Sequence, residues 1–355
     1  MKGRLYRPVL IGIVAVSLCC CRGKSLDESE PAGTTSDPTA EEIVIIQETG
    51  TGGGEGAGGE WVAAESRTSK TEGAFSFGDL QGQEFIFSSG AGGWGTWMMV
   101  RADGSFSGRY LDSDNMVGEG YPNGQMAWSD FSGQFAEPVK VDDHTYSMEI
   151  AQLEYAEEIG KEEIKDGILY KYTDAYGLDG AKEILVHLPG TPLETLSEEV
   201  RSWIGYYDLS AATDKELSFY VLENEAQGYG FKGYDLAAGI RDNIARTEEQ
   251  AALLEASLRN DPLSQMELTE KTNELYILWD SVLNTTWQDL KKLLDEDTMA
   301  VLTVEEREWI KAKEKAVADA GAEFAGGSMQ AMVMDDKAAE MTKARVYELL
   351  ELLDK

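Results

Sequence analysis

From about residue 73 to 235, apolar and polar residues alternate in short runs broken by glycine and aspartate, a period of two that predicts strands. The runs 84–87, 96–100, 105–110, 145–150, 168–172, 183–187 and 217–222 carry this pattern. Asp103-Gly104, between the second and third runs, predicts a hairpin, because glycine supplies the left-handed backbone such a turn needs. One helix is expected inside this half. It starts at Leu196-Ser197-Glu198-Glu199 and places Val200, Trp203 and Ile204 on one face. From about 236 the period becomes helical. A helix is expected over 236–259, with Ile240, Ile244, Ala251 and Leu254 inward. Asp261-Pro262 reads as a cap and first-turn proline for the next helix, whose stripe is Leu268, Leu275, Trp279, Val282, Leu290 and Leu293. Thr303-Val304-Glu305-Glu306 fits a capping box, after which Trp309 and Ile310 are expected to face inward. Gly326-Gly327-Ser328 predicts a turn before a last helix ending near Leu353. The expected fold is α+β: a β-rich barrel or sandwich over 73–235, then an antiparallel helical bundle over 236–355.

Residues 1–72 follow neither period. Lys2, Arg4 and Arg7 precede an apolar run from Val9 to Leu18, the two parts of an export signal. That run is about half of the roughly 20 residues a membrane-crossing helix needs. It ends in Cys19, Cys20 and Cys21. Leu18 stands three before Cys21, so residues 1–21 resemble a lipoprotein signal peptide with Cys21 as the lipidated residue. Cys20 takes the position where a small residue is usual, and Cys19 and Cys20 stay open as alternatives. This reading places the chain on the extracellular face of the cell membrane, held by an N-terminal acyl anchor. The chain has three cysteines, all in this cluster, so the rest cannot form an internal disulfide. Residues 22–72 are rich in Gly, Ser, Thr, Glu and Pro and read as a disordered tether, with a reach on the order of 40 Å.

Charge narrows the partners. The chain carries 65 acidic and 31 basic residues, net −34, which disfavours nucleic acid and anionic lipid surfaces and favours cationic partners. Its two histidines, His144 and His187, fall in different predicted strand pairs, with no H-E-x-x-H or C-x-x-C to make a zinc site. No G-x-S-x-G elbow and no P-loop occur. Asp112-Ser113-Asp114 with Glu119 departs from the EF-hand spacing at Met116 and Val117, so a solvated turn is expected there. No catalytic residue, metal or cofactor is assigned. Trp94, Trp97, Tyr110, Tyr121 and Trp128 cluster in the β-rich half, where exposed rings would stack on sugars or a protein and buried ones would form core.

Four strings in the helical half stand in a shared order: Leu283-Asn284-Thr285-Thr286-Trp287, Leu302 to Ile310 with Glu306 and Trp309, Gly326-Gly327-Ser328-Met329, and Met341-Thr342-Lys343-Ala344-Arg345-Val346. Over residues 262–354 they resemble the lysozyme inhibitor LprI-like family. The resemblance implies a helical bundle, a non-enzymatic role in binding a cationic extracellular protein such as lysozyme or an envelope component, and Trp287, Trp309, Ser328 and Arg345 as binding or structural positions. The chain departs from the family in lacking the cysteines that staple these helices and in having Lys313 where many members carry arginine. The β-rich half looks like a domain of Gram-positive surface lipoproteins, on Ser88-Ser89-Gly90-Ala91-Gly92, Asp103-Gly104-Ser105-Phe106 and Tyr121-Pro122-Asn123-Gly124. Two alternatives for that half are an envelope glycan hydrolase, which needs facing carboxylates in a cleft, and a lipocalin-like small-molecule carrier, which needs an apolar cavity.

Overall fold

The computed structural model describes residues 75–90 and 92–354. Cys21 and the expected signal peptide and tether therefore lie outside the described residues. The strands are β1 (Gln83–Phe87), β2 (Trp94–Val100), β3 (Ser105–Asp114), β4 (Gln125–Phe135), β5 (Val139–Lys140), β6 (Thr145–Tyr155), β7 (Glu162–Lys165), β8 (Ile168–Tyr172), β9 (Glu183–His187), β10 (Val221–Asn224) and β11 (Tyr229–Asp235). Helix α1 (Glu198–Trp203) precedes β10, and α2 (Leu236–Asn260), α3 (Gln265–Leu293), α4 (Glu296–Ala322) and α5 (Gln330–Leu350) follow β11.

The β-rich half is a barrel. Strands β1, β2, β3, β4, β6, β9, β10 and β11 pair in that order, each antiparallel to the next, and β11 returns to β1. Closure depends on β6 changing partner along its length. Thr145–Glu149 pairs with β9, and Ile150–Tyr155 pairs with β4 beyond an irregularity at Gln134/Phe135. The same edge of β4 takes β8 in parallel at Gln125–Trp128, from which the β7–β8 hairpin extends.

An eight-stranded barrel is just wide enough for side chains to fill its lumen, and this one is filled. Phe85, Phe87, Met98, Phe106, Phe131, Met148, Ile184, Leu222 and Phe231 are buried in one cluster. Fully burying each such side chain contributes about 1.5–3 kcal/mol. Two glycines make room for rings. Gly108 pairs with Phe131 and Gly133 with Phe106, and a Cβ on either glycine would stand 2.3 Å from the ring of its partner. This packing occupies the space a carrier's apolar cavity would need. Outside the barrel, Leu193, Leu196, Val200, Ile204 and Leu217 cover the face of β9 and β10 around Val221. Beneath that cover, His187 Nε2 and Glu223 Oε2 lie 2.6 Å apart.

Several sequence expectations need correction. The run 217–222 is a strand only over Val221–Asn224, and His144 lies in the bend before β6 rather than in a strand. Trp94 and Tyr110 join the inner cluster, whereas Trp97 and Trp128 alternate to the outer wall. Asp261 caps the end of α2, and the start of α3 is capped by Ser264 with Glu267 in a reciprocal box. Thr303 is mid-helix, because α4 starts at its cap Asp295, and the Thr303 hydroxyl bonds back to the Met299 carbonyl at 2.7 Å. Ile310 is 40% exposed, so of the pair only Trp309 packs against the core.

Helix α2 follows β11 without an intervening residue, and the Leu236 amide donates to the Gly82 carbonyl at 3.1 Å. The Lys292 ammonium, near the end of α3, bonds Glu84 of β1 at 2.9 Å. The bundle core is Ile240, Ile244 and Ala251 of α2, Leu275, Trp279, Val282, Leu283 and Leu290 of α3, Leu302 of α4, and Ala339, Val346 and Leu349 of α5.

Candidate functional site

Three helices each present one face to a shared polar and aromatic cluster. Helix α3 supplies Tyr276 and Asp280, one turn apart. Helix α4 supplies Glu306, Trp309 and Lys313, and α5 supplies Arg345 and Glu348. Spacings of three and four residues put each set on a single helix face.

Arg345 is the centre of the cluster and is 9% exposed. Its Nε donates to Glu306 Oε2 at 2.8 Å and its Nη1 to Glu348 Oε2 at 2.8 Å. Burial opposes its charge, but the bonds to Glu348 and Glu306 prevail and hold its pKa above the usual value. Its guanidinium carbon lies 5.9 Å from the Trp309 ring centre. The Lys313 ammonium lies 4.9 Å from the same ring, 5.4 Å from the Tyr276 ring and 3.7 Å from Asp280 Oδ1. Two cations thus meet one indole, an attraction worth about 0.5–2 kcal/mol each where solvent is partly excluded. The Tyr276 hydroxyl donates to Asp280 at 3.3 Å, and Asn284, one turn on, donates to the same carboxylate at 3.1 Å. Burial, then the Asp280 charge, pushes the Tyr276 phenol up to about 12, so it stays a neutral donor.

Trp309 and Arg345 therefore meet, across α4 and α5. Trp287 lies about three turns along α3 from Tyr276 and packs against the bundle core, away from this cluster. Ser328 is exposed in the turn between α4 and α5, where Gly326 takes φ +76°. Tyr276 and Asp280 were not singled out by sequence. Their only local signal is the spacing of four on a helix, which many pairs share.

Chemically, the cluster is a fastening. Each carboxylate named is matched by a cation or donor, and no nucleophile stands beside a base. Its effect is to hold α4 so that Asp297, Val301, Val304, Glu305 and Glu308 face outward on one stripe, with Val301 62% and Val304 57% exposed. Among the described residues, no group of His, Cys, Asp or Glu is arranged to hold a metal ion, and no helix is long and apolar enough to cross a membrane. On the barrel, Asp130 and Glu154 line an open depression with Phe131, Ser132, Tyr155 and Ala156. Arg109 and Trp128 occupy both Asp130 oxygens, at 2.7 and 2.9 Å, and Gln152 donates to Glu154 at 2.7 Å.

Residues 259–349 match the family model described as Lysozyme inhibitor LprI. The match runs from the last turn of α2 through α3 and α4 and nearly to the end of α5, and leaves the barrel outside it. Neither a curated protein nor a solved structure matches the chain.

Proposed function

We propose that the LprI-like bundle is a binding module for lysozyme or a similarly cationic extracellular protein, carried on a chain anchored to the extracellular face of the cell membrane through a lipid on Cys21. The single observation that carries the binding reading is the family match over α3–α5, on a segment whose exposed α4 stripe sets Val301 and Val304 among Asp297, Glu305 and Glu308. Carboxylates around an apolar strip suit a basic partner, because opposite charge speeds encounter and the apolar centre gives up its water on contact. The net charge of −34 supports the same choice of partner. The role is non-enzymatic, in keeping with a cluster whose carboxylates are already paired. The anchor rests on Lys2, Arg4 and Arg7, the apolar run and the cysteine cluster.

The test mixes the protein with lysozyme and follows both binding and residual lytic activity. Binding that weakens as salt rises, with loss of lytic activity, is the expected result. Exchanging Glu305 and Glu308 for lysine is expected to weaken it about tenfold or more. Absence of binding at low ionic strength would remove the lysozyme reading. Metabolic labelling with a fatty acid, in wild type and Cys21→Ser, tests the anchor. Label that persists in the variant would move the modification to Cys19 or Cys20.

A further inference from the structure

One end of the barrel carries an arrangement of rings that neither the family match nor the proposed binding role accounts for. Trp94 of β2, Trp203 of α1, Tyr229 of β11 and Tyr176 of the loop after β8 form a closed cycle. Neighbouring ring centres are 6.1, 6.0, 5.3 and 5.0 Å apart around it. Their planes are steeply inclined, at 71°, 90°, 71° and 57°. Phe87 is fully buried and touches all four, at 4.7–5.2 Å between centres. It is the floor, and the four walls each keep part of their surface open to solvent.

The loop that carries the Tyr176 wall is held in place by buried polar groups. The Tyr176 carbonyl accepts from the Thr96 hydroxyl at 2.5 Å, and Thr96 is fully buried. Asn224, also fully buried, donates to the Gly177 and Asp179 carbonyls at 3.0 and 3.1 Å. Gly177 has φ +103°, and a Cβ there would stand 2.7 Å from both Phe87 and Phe231, so only glycine lets this loop lie so close to the floor. The Tyr176 and Tyr229 rings meet edge to face. Asp112 stands opposite Trp94 in the β2–β3 pairing, and Asp174 and Asp179 share the β8–β9 loop with Tyr176.

We propose that this end of the barrel is an aromatic box that binds an alkylated ammonium group, with Trp94, Trp203, Tyr176 and Tyr229 as walls and Phe87 as floor. Ring faces carry negative potential, so several faces around one point attract a cation without hydrogen-bonding it. A quaternary or methylated ammonium is the cation that gives up least on entering, since it has few or no N–H groups to leave unpaired. A primary ammonium would lose bonds to water that the rings cannot replace. The acidic rim supplies long-range attraction and disfavours anionic ligands.

The experiment titrates the protein with tetramethylammonium chloride and with choline chloride at constant ionic strength, reading tryptophan fluorescence and heat. A saturable response to both cations is expected, together with binding at least about tenfold weaker by the neutral isostere of choline that has carbon in place of nitrogen. Trp203→Leu keeps an apolar group against Phe87 and is expected to lose about tenfold in affinity. Asp179→Asn, whose amide oxygen still accepts from the Gly177 amide, is expected to lose severalfold and tests the site should Trp203→Leu fail to fold. No saturable response to either cation, equal binding of the neutral isostere, or a folded Trp203→Leu protein with unchanged affinity would each overturn the proposal.

Discussion

Arg345 is buried between two helices with its charge intact, and the consequence is asymmetric. With Glu306 its only buried partner, removing the arginine leaves a carboxylate 12% exposed and uncompensated. Arg345→Ala is expected to cost about 3–5 kcal/mol in urea unfolding, whereas replacing both partners by apolar residues, as in Arg345→Met with Glu306→Leu, is expected to recover most of that. A double variant as unstable as the single would show that the pair has no such coupling. Gly104 is a second residue whose identity is set by a single atom. It takes φ +78°, and a Cβ would lie 2.5 Å from Phe77 and 2.9 Å from Gln134. Gly104→Ala is expected to cost more than about 1 kcal/mol in the same measurement.

At the scale of elements, the start of α3 lies three residues beyond the cap that Asp261-Pro262 predicts, at Ser264. In the fold, the Ser264 hydroxyl accepts the Glu267 amide at 3.4 Å, and Glu267 accepts the Ser264 amide at 2.7 Å. Asp261 instead has extended backbone at the end of α2. Ser264→Ala is expected to lower stability by about 1 kcal/mol and Asp261→Ala by less than about 0.5 kcal/mol, compared by thermal and urea melts. Equal losses would contradict this placement of the cap. The Thr303 box failed for a related reason: Asp295 accepts the Thr298 amide at 2.9 Å and starts the helix two turns earlier. Glu306 is then free to pair with Arg345, a partner 39 residues away that no local rule supplies.

At the scale of the whole molecule, barrel and bundle meet through Glu84, Asp289 and Lys292, with Lys292 2.9 Å from Glu84 and 3.6 Å from Asp289. Burial raises the Asp289 pKa above its ordinary 3.8, Lys292 pulls it back and the Glu84 charge raises it again. The folded chain therefore holds this proton to higher pH than the unfolded chain, and stability falls as pH rises from 3.8 through the raised value. Asp289→Asn is expected to raise Tm at pH 7 and to lose that gain below pH 3.8, where the carboxyl is protonated in both states. A gain that persists unchanged at low pH would assign the effect to packing.

The type of most elements could be read from the sequence alone, but β4, β5, β7 and β11 lie outside the alternating runs, and β3 and β6 extend beyond theirs. Helical period placed α2 to within a residue, the strand runs 168–172 and 183–187 coincide with β8 and β9, and Asp103-Gly104 marks the β2–β3 hairpin. The four strings around Asn284, Glu306, Gly326 and Arg345 sufficed to recognise the family that residues 259–349 match. These features depend on neighbours a few positions apart, where backbone geometry imposes a fixed period. Tertiary structure alone decided that the β-rich half closes as a barrel, since closure needs β6 to divide its length between β9 and β4. It also turned Trp94 inward and Trp97 outward, brought Glu306 to Arg345, and gathered Trp94, Tyr176, Trp203 and Tyr229 around Phe87. Those relations join residues tens to more than a hundred positions apart, and they exist only once strand register and helix packing have set which distant side chains share a volume.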